Sequence, residues 1–195
     1  MQSAETTRRR ILDAATEEFA ARGIAGARVD RIADASGASK PMLYRYFGSK
    51  EQLFEVVFTS HVIANSDRVP FDASDLPDYA ARLYDDYLAD PALLRLISWK
   101  RLERLSVGYL YPGLEENDVA HLRDIGEEQQ RGTIRQDMDP ADVWSLLISM
   151  ASTWAETSIT DVARPEDAAA LHARRREALA AATRAAFSPP ARPRP

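Results

Sequence analysis

The segment RVDRIADASGASKPMLYRYFGSK, at positions 28–50, limits the possible folds of this chain more than any other part of the sequence. Its first third carries apolar residues at helical spacing, and Gly37 follows where a left-handed turn residue is needed. Ser39 is a suitable N-cap for a second helix, whose first turn tolerates Pro41. Gly48 ends that helix. The segment therefore predicts two short helices joined by a tight turn.

A helix, a glycine-containing turn and a second helix with cationic and aromatic side chains make up the helix-turn-helix that enters the DNA major groove. A helical hairpin with a solvated basic face would contain the same kind of turn. The turn alone therefore leaves both interpretations open, and the detailed residue pattern has to decide between them.

The run ASGASKPMLYRYFGSKEQLF resembles the recognition segment of the tetracycline-repressor (TetR) family of bacterial regulators. Its small-Gly-x-Ser turn, Leu-Tyr-x-Tyr-Phe core and Ser-Lys-Glu helix start fall at the family's spacing, and the resemblance covers residues 6–58. A looser similarity lies at RGTIRQDMDP. Pro41-Met42 departs from the Gly or Ala followed by Thr or Ser of many relatives, which leaves the operator and the register of contact open.

The resemblance implies a DNA-binding transcriptional regulator, a repressor, that binds a palindromic operator on double-stranded DNA as a homodimer. It also implies release by a small-molecule effector of unknown identity. An alternative keeps the helix-turn-helix but places it under the control of a protein partner, or of no effector at all. No residue pattern distinguishes the two possibilities.

Several side chains of the segment are suited to contact DNA, which needs cations or donors for phosphates and a few groups for base edges. Lys50 starts a helix, so its ammonium and the backbone N–H groups there would bind one phosphate together, and Arg28 would bind another across the groove. The resemblance implies phosphate contacts for the hydroxyls of Tyr44 and Tyr46. The candidates for base edges are Ser39, Lys40, Met42 and Arg45, with a phosphate contact as the alternative for Arg45.

The charge distribution supports a DNA-binding head. The chain has a net charge of −5, but residues 1–50 carry nine Lys and Arg against six Asp and Glu, a net of +3. A basic end on an acidic chain favours docking of that end on phosphates. Ordinary scatter would explain the charge pattern by itself, so this support depends on the motif.

The absence of alternating strand patterns and the few glycines predict an all-α protein of about nine helices. We expect a three-helix DNA-binding domain at residues 1–49, a ligand-binding and dimerisation domain at 50–187, and a disordered tail at 188–195, SPPARPRP. The predicted helices are 6–22, 28–36, 39–47, 50–68, 74–89, 90–105, 115–131, 139–154 and 164–187.

The sequence excludes several other classes of protein. There is no cysteine for disulfides or thiolate metal sites, and no apolar run approaches the length of a membrane span. No secretory signal, zinc-protease, phosphate-loop or nucleophile-elbow motif is present, and the three histidines lack ligand-like spacing. We therefore expect a cytoplasmic protein that is not an enzyme and needs no metal or cofactor.

The last two helices are predicted to form the homodimer, because the final helix is rich in alanine and small side chains let helices approach closely. The high helix propensity of alanine would explain some of these positions equally well. Aromatic and polar residues of the body would line an effector pocket, although each also suits an ordinary core position. They are Phe58, His61, Trp99, Glu103, Tyr109, Tyr111, Trp144, Met150, Thr153 and Trp154.

Overall fold

The structure, a computed structural model, describes residues 2–105, 107, 108, 110 and 114–189, and only the backbone of residues 2, 3 and 114–117. Within these ranges the chain forms nine α helices and a short 3-10 helix and no strand, which confirms the predicted all-α class. The helices are α1 (Gln2–Gly26), α2 (Val29–Ser36), α3 (Lys40–Phe47), α4 (Lys50–Arg68), α5 (Leu76–Ala89), α6 (Pro91–Glu103), α7 (Leu114–Arg131), α8 (Pro140–Ala151) and α9 (Ala169–Phe187).

By packing, the chain divides into two compact units. The first unit comprises Met1–Asn65 with Pro91–Leu110, and the second comprises Ser66–Asp90 with Tyr111–Pro195. Helix α6 thus packs with α1–α4, against α1 in particular, although it follows α5 in the sequence. The functional boundary expected at residue 49 stays a prediction. None of the described helices has both the length and the apolar character that crossing a bilayer requires.

The core of the first unit fixes the orientation of α3. Phe19 of α1 meets Phe54 of α4 edge to face, with ring centroids 5.2 Å apart, and Phe54 stacks on Phe58 at 6.1 Å. Leu43 and Phe47 of α3 are buried, α3 packs against α2, and Arg8 of α1 lies over the Phe47 ring. Burial of one face of so short a helix leaves the opposite face in solvent. The main apolar residues of this core are Ile11, Ala15, Phe19, Ile24, Ile32, Leu43, Phe47, Leu53, Phe54, Val57, Phe58, Leu93 and Leu96.

The second unit has its own core, formed by α5, α7, α8 and α9. Its buried residues include Leu76, Tyr79, Leu83, Tyr84, Ile125, Ile134, Val143, Leu147, Leu179 and Phe187. Polar groups are also buried on α9: His172 Nδ1 and the Tyr84 hydroxyl share a hydrogen bond of 2.7 Å. The side chain of Arg175 is only 3% exposed.

Helix α8 ends at Ala151, earlier than the predicted end near Trp154. Hydroxyl side chains turn back on the helix at this point: Ser152 Oγ donates to Ser149 O at 3.1 Å, and Thr153 Oγ1 donates to the same carbonyl at 3.4 Å. Such local hydrogen bonds compete with continuation of the helical ladder. The apolar periodicity that extends to Trp154 does not contain this information.

Helix α9 begins at Ala169, later than the predicted start near Arg164. The carboxylate of Asp167 accepts hydrogen bonds from the Arg164 N–H at 3.0 Å and from Arg175 Nη1 at 2.7 Å. Arg175 Nη2 donates to Asp161 at 2.7 Å. A buried guanidinium with two carboxylate partners therefore keeps the preceding residues in a turn rather than in a first helical turn.

Two other helix starts also differ from prediction. Helix α1 starts at Gln2 instead of near Thr6, because Ala4 and Glu5 are good helix formers that extend it. A 3-10 turn, Ala73–Asp75, precedes α5, so that Asp75 and not Ser74 caps α5 by accepting from the Asp78 N–H at 3.1 Å.

Gly23 interrupts α1 and cannot be replaced without strain. Its φ of 72° and ψ of −177° lie in a region that is essentially open to glycine alone. A Cβ at this position would also lie 2.8 Å from Cε3 of Trp99 on α6. The sequence correctly placed the end of the first helical stretch at Gly23, but one more helical turn follows before α2.

We expect Gly23→Ala to lower the free energy of unfolding by at least about 1–3 kcal/mol, from backbone strain before the steric overlap is added. Gly126→Ala is the control, because Gly126 lies inside α7 and a Cβ added there would meet nothing within 4 Å. That change should stabilise the protein by about 0.5–1 kcal/mol. Urea unfolding of both variants measures the difference, and equal midpoints would contradict the role given to Gly23.

Candidate nucleic-acid interface

The start of α2 is held by an acidic side chain of α1. Glu18 Oε1 accepts a hydrogen bond from the Arg28 backbone N–H at 3.0 Å and from Arg31 Nη1 at 2.9 Å, and its other oxygen lies 3.3 Å from Arg22 Nε. One carboxylate thus satisfies a backbone donor at a helix start and two guanidinium groups. Sequence reasoning missed this role, because Glu18 is distant from the usual capping positions of α2.

The turn between α2 and α3 has the geometry that the sequence predicts. Gly37 is left-handed, with φ 65° and ψ 23°, and its N–H bonds to the carbonyls of Ala33 and Asp34. Ser39 occupies the N-cap position of α3 in extended conformation, but its side chain makes no capping hydrogen bond. The hydroxyl of Ser39 is exposed beside the start of α3, which is compatible with its predicted contact to DNA.

The next helix start also follows the prediction. Gly48 ends α3 with a φ of 77°, and Ser49 Oγ accepts the Gln52 N–H at 3.0 Å to cap α4. Both ends of α3 are therefore set by short-range backbone chemistry, which holds the helix at a fixed length.

The outward face of α3 carries the residues predicted to contact DNA. Tyr44 is 44% exposed, and Lys40 and Arg45 are also exposed, whereas Met42 and Tyr46 are half-buried. Arg45 lies opposite the buried Leu43 and Phe47 of the same helix, whereas Tyr44 and Lys40 lie beside that buried face. The exposed part of α3 therefore carries an ammonium, a phenol and a guanidinium, which suit contacts to phosphates and base edges.

Cations lie over two aromatic rings at this surface. The guanidinium carbon of Arg45 is 5.7 Å from the centroid of the Tyr46 ring, and that of Arg8 is 5.6 Å from the Phe47 ring. The Tyr46 and Phe47 rings are 6.0 Å apart. Stacking on an aromatic face limits the freedom of a guanidinium while leaving its N–H groups able to donate.

Lys40 is paired with an acid of α2. Its Nζ lies 2.9 Å from Oδ1 of Asp30, and both side chains are about half exposed. The hydrogen bond and charge of Lys40 hold the pKa of the Asp30 carboxyl below its ordinary value, and Asp30 correspondingly raises the pKa of Lys40. Both groups therefore stay charged around neutral pH.

Lys50 faces the connection between α1 and α2. Its Nζ donates to the Ala27 carbonyl at 3.2 Å and to the Ala25 carbonyl at 3.4 Å. An ammonium has three donors, so these two bonds leave one for another acceptor. Arg28, the other predicted phosphate contact, is exposed at the end of this connection.

Four of the residues predicted to line an effector pocket lie in the first unit. Phe58 is fully buried in the core under Lys100, whose Nζ lies 4.3 Å from the ring centroid. His61 Nε2 shares a hydrogen bond of 3.2 Å with Thr16 Oγ1.

Trp99 and Glu103, the other two, reach the backbone of α1. Trp99 Nε1 donates to the Ala20 carbonyl at 3.1 Å, and Glu103 Oε2 accepts from the Ala25 N–H at 2.6 Å. Contact of these four residues with an effector stays a prediction.

The remaining candidates lie in the second unit or outside the described residues. Trp144 packs in an aromatic cluster with Phe71, Tyr79 and His121, with ring centroids 4.5 Å apart for His121–Trp144 and 5.1 Å for Phe71–Trp144. Met150 is half-buried against the core of the second unit, Thr153 is exposed, and Trp154 meets Tyr84 edge to face. Tyr109 and Tyr111 lie outside the described residues.

The His121 side chain is the polar part of this aromatic cluster. Its Nδ1 is buried without a hydrogen-bond partner among the described residues, and burial lowers the pKa of the imidazole. Burial also raises the pKa of Asp118 on the same helix, against a smaller opposing effect from its hydrogen bond with Trp144. Across the described ranges, His, Asp and Glu side chains form no group of three or more suited to a metal ion.

Known proteins similar to this chain are transcriptional regulators with a helix-turn-helix. The family model for bacterial regulatory proteins of the tetR family matches residues 11–57, and that for the tetracyclin repressor-like C-terminal domain matches residues 75–184. The HTH-type transcriptional repressor SCO4008 of Streptomyces coelicolor is 36% identical over 152 residues, covering 77% of this chain and 79% of that protein. The HTH-type transcriptional repressor NicS of Pseudomonas putida is 28% identical over 161 residues, covering 76% of each chain.

A solved structure supports the same assignment. The Streptomyces coelicolor protein SCO4942, assigned as a transcriptional regulator, matches with a TM-score of 0.78 and 38% identity, over 97% of this chain and 99% of that one. The helix-turn-helix with its cationic outward face, the two family models and the long matches to regulators lead to one conclusion. The chain belongs to the TetR family of DNA-binding transcriptional regulators, which are not enzymes.

Proposed function

We propose that this protein is a repressor that binds a palindromic operator on double-stranded DNA as a homodimer and is released by a small-molecule effector. The observation that carries the DNA-binding part is the exposure of Lys40, Tyr44 and Arg45 on α3, while Leu43 and Phe47 of the same helix are buried. A helix with this division inserts its polar face in the major groove while its apolar face stays in the protein core. This role also implies work in the cytoplasm, on chromosomal DNA.

The proposed contacts divide into two kinds. Tyr44, Tyr46, Arg28 and Lys50 bind phosphates and fix the register of the protein on the duplex. The remaining donor of Lys50, beside the start of α4, suits a phosphate oxygen. The residues that contact base edges are Ser39, Lys40, Met42 and Arg45. Arg45 has the bidentate donors that guanine accepts, and Met42 offers apolar contact to a thymine methyl group.

The ion pair between Lys40 and Asp30 opposes the contact of Lys40 with DNA. Both groups are charged at neutral pH, as their shifted pKa values indicate, so Lys40 has to leave or share Asp30 when it meets an operator. Asp30 also repels nearby phosphates. The Asp30 carboxylate therefore weakens binding to any DNA sequence, so that tight binding depends more on well-placed contacts to bases.

The exposed faces of α8 and α9 support the proposed homodimer. On α9, Ala178, Ala181, Ala182 and Ala185 are exposed at helical spacing, opposite the buried face of that helix. On α8, Leu146 is 47% exposed, and Ser145 and Ser149 are exposed near it. Small side chains allow close approach of two pairs of helices across a two-fold axis, which would match the symmetry of a palindromic operator.

The aromatic cluster around Trp144 supports the effector site. Four rings, Phe71, Tyr79, His121 and Trp144, form a mostly apolar surface, and the buried Nδ1 of His121 offers an unsatisfied polar atom to a ligand. Sites for small molecules commonly combine aromatic walls with a few polar groups. Because burial lowers the pKa of His121, the imidazole is neutral at pH 7, and a neutral effector suits it.

The alternative, control by a protein partner or by no effector, is distinguished by a thermal-shift screen of small molecules. A compound that binds the folded state raises the melting temperature with its concentration. A true effector does so and also releases DNA, whereas a compound that only stabilises the fold leaves DNA binding unchanged.

We expect Asp30→Asn to tighten binding to all DNA sequences several-fold, because it releases Lys40 and removes a negative charge from α2. The plot of log Kd against log salt concentration should steepen by up to about one phosphate contact. Asp34→Asn is the matched control, because Asp34 is exposed on the same helix and forms no ion pair among the described residues. A mobility-shift series over salt measures both, and an unchanged slope for Asp30→Asn with an equal gain for the control would contradict the role of the ion pair.

We expect selection from random-sequence DNA to return two inverted half-sites for the wild type. Arg45→Ala and Met42→Ala should each lose the base preference at one position of a half-site, at a cost of about 1–3 kcal/mol for the bidentate contact of Arg45. Arg28→Ala is the control, since a lost phosphate contact weakens all sequences alike. Base preferences that survive in both α3 variants would remove Arg45 and Met42 from base recognition.

We expect the double change Ala178→Glu and Ala182→Glu to convert the protein to monomers at micromolar concentration, because it places carboxylates in a close-packed interface. The matched serine pair, Ala178→Ser and Ala182→Ser, keeps the side chains small and should remain dimeric. Analytical ultracentrifugation measures the mass of each. A glutamate variant that sediments like the wild type would exclude α9 from the interface.

A further inference from the structure

The connection between α1 and α2 is short and depends on a glycine. We call residues 23–28 the α1–α2 joint: it begins at Gly23, in a backbone region essentially limited to glycine, and ends at Arg28, directly before α2. Because α2 starts here and a tight turn at Gly37 links it to α3, the direction in which the joint leaves α1 helps to set where α3 lies, together with the burial of Leu43 and Phe47. Small changes of direction in the joint therefore move the surface that contacts DNA.

Side chains from three helices bind the backbone of the joint. Glu18 of α1 accepts the Arg28 N–H at 3.0 Å, and Lys50 of α4 donates to the carbonyls of Ala25 and Ala27 at 3.4 and 3.2 Å. Glu103 of α6 accepts the Ala25 N–H at 2.6 Å. The N–H and the C=O of Ala25 are thus taken by side chains from two different helices, and the acceptor comes from α6, outside the helix-turn-helix.

Trp99, which lies one helical turn before Glu103 on α6, contacts the region where the α1–α2 joint begins. Its Nε1 donates to the Ala20 carbonyl at 3.1 Å, just before the break in α1. Its six-membered ring covers Gly23 so closely that a Cβ would lie 2.8 Å from the ring. Trp99 and Glu103 are four residues apart, so they project from the same face of α6 onto Gly23 and Ala25.

We propose that Trp99 and Glu103 are positioning residues for DNA binding, which set the direction of the α1–α2 joint and through it the placement of α3. The inference rests on the proposed contact of α3 with the major groove. Neither residue touches DNA itself. They act by holding the backbone of the joint in the direction that lets the side chains of α3 reach the base edges.

The role differs from ordinary stabilisation in a measurable way. The hydrogen bond from Ala25 to Glu103 is exposed to solvent, so its loss changes the stability of the fold little. A shift of α3 costs base contacts, and each lost base contact is worth about tenfold or more in specific affinity. Loss of specific binding should therefore far exceed loss of stability, and binding to unrelated DNA, which depends on phosphates, should change little.

The test compares Glu103→Met with Glu103→Gln in the full-length protein. Both remove the charge, but glutamine keeps an oxygen that accepts the Ala25 N–H, whereas methionine of similar length does not. The probes are a duplex that the wild type selects from random DNA and a duplex of unrelated sequence. We expect Glu103→Met to lose about tenfold or more in affinity for the selected duplex only, and Glu103→Gln to stay close to the wild type. Amide exchange at Ala25 should rise in the methionine variant alone.

Trp99→Phe provides a second variant, because it keeps a ring over Gly23 and removes the donor to Ala20. It should lower specific affinity in the same direction, and less than additively when combined with Glu103→Met, since both act on one segment. Equal binding by the methionine and glutamine variants, or equal losses on both duplexes, overturns the inference. A wild type that binds no DNA overturns the proposed function as well. A wild type that binds while Glu103→Met binds equally tightly overturns the inference alone.

Discussion

Burial of Leu43 and Phe47 of α3 is the interaction on which the rest of the structure depends. These two side chains anchor a helix of only two turns, which would not be stable by itself, to a core that includes Phe19 and Phe54. Since the apolar face of α3 is packed in the core, its polar face is exposed to solvent. Packing therefore determines which side chains of α3 are available to contact DNA. The turn at Gly37 and the residue Gly48 determine where the helix begins and ends.

The sequence predicted the parts of this arrangement that depend on local backbone chemistry. The turn at Gly37, the limits of α3 and the Ser49 cap follow from residues a few positions apart, and the structure confirms them. The end of α8 and the start of α9 were predicted wrongly, because they depend on hydroxyl groups that bond back to the helix and on Arg175, which binds carboxylates several residues away. Apolar periodicity contains neither kind of information.

The candidate site shows the same division between local and distant chemistry. Exposure of Lys40, Tyr44 and Arg45 agrees with their predicted contacts to DNA, which remain proposals. The partners of the charged groups could not be predicted, since Lys40 meets Asp30 of another helix and Lys50 meets carbonyls more than twenty residues away. Trp99 and Glu103 stay predicted pocket residues, but no sequence feature of either reveals its hydrogen bond to the backbone of α1.

The packing of α6 against α1 has a consequence for how such regulators can be recombined. The first unit is discontinuous in the chain, with Pro91–Leu110 completing the part that begins at the amino terminus. A chimera joined after the helix-turn-helix would therefore pair the α1 of one protein with the α6 of another. The residues at the positions of Trp99 and Glu103 would then come from a different protein than the glycine at position 23 that they face. Modular exchange of specificity in this fold is thus limited by a non-contiguous interface, and a successful graft has to carry both segments of the chain together.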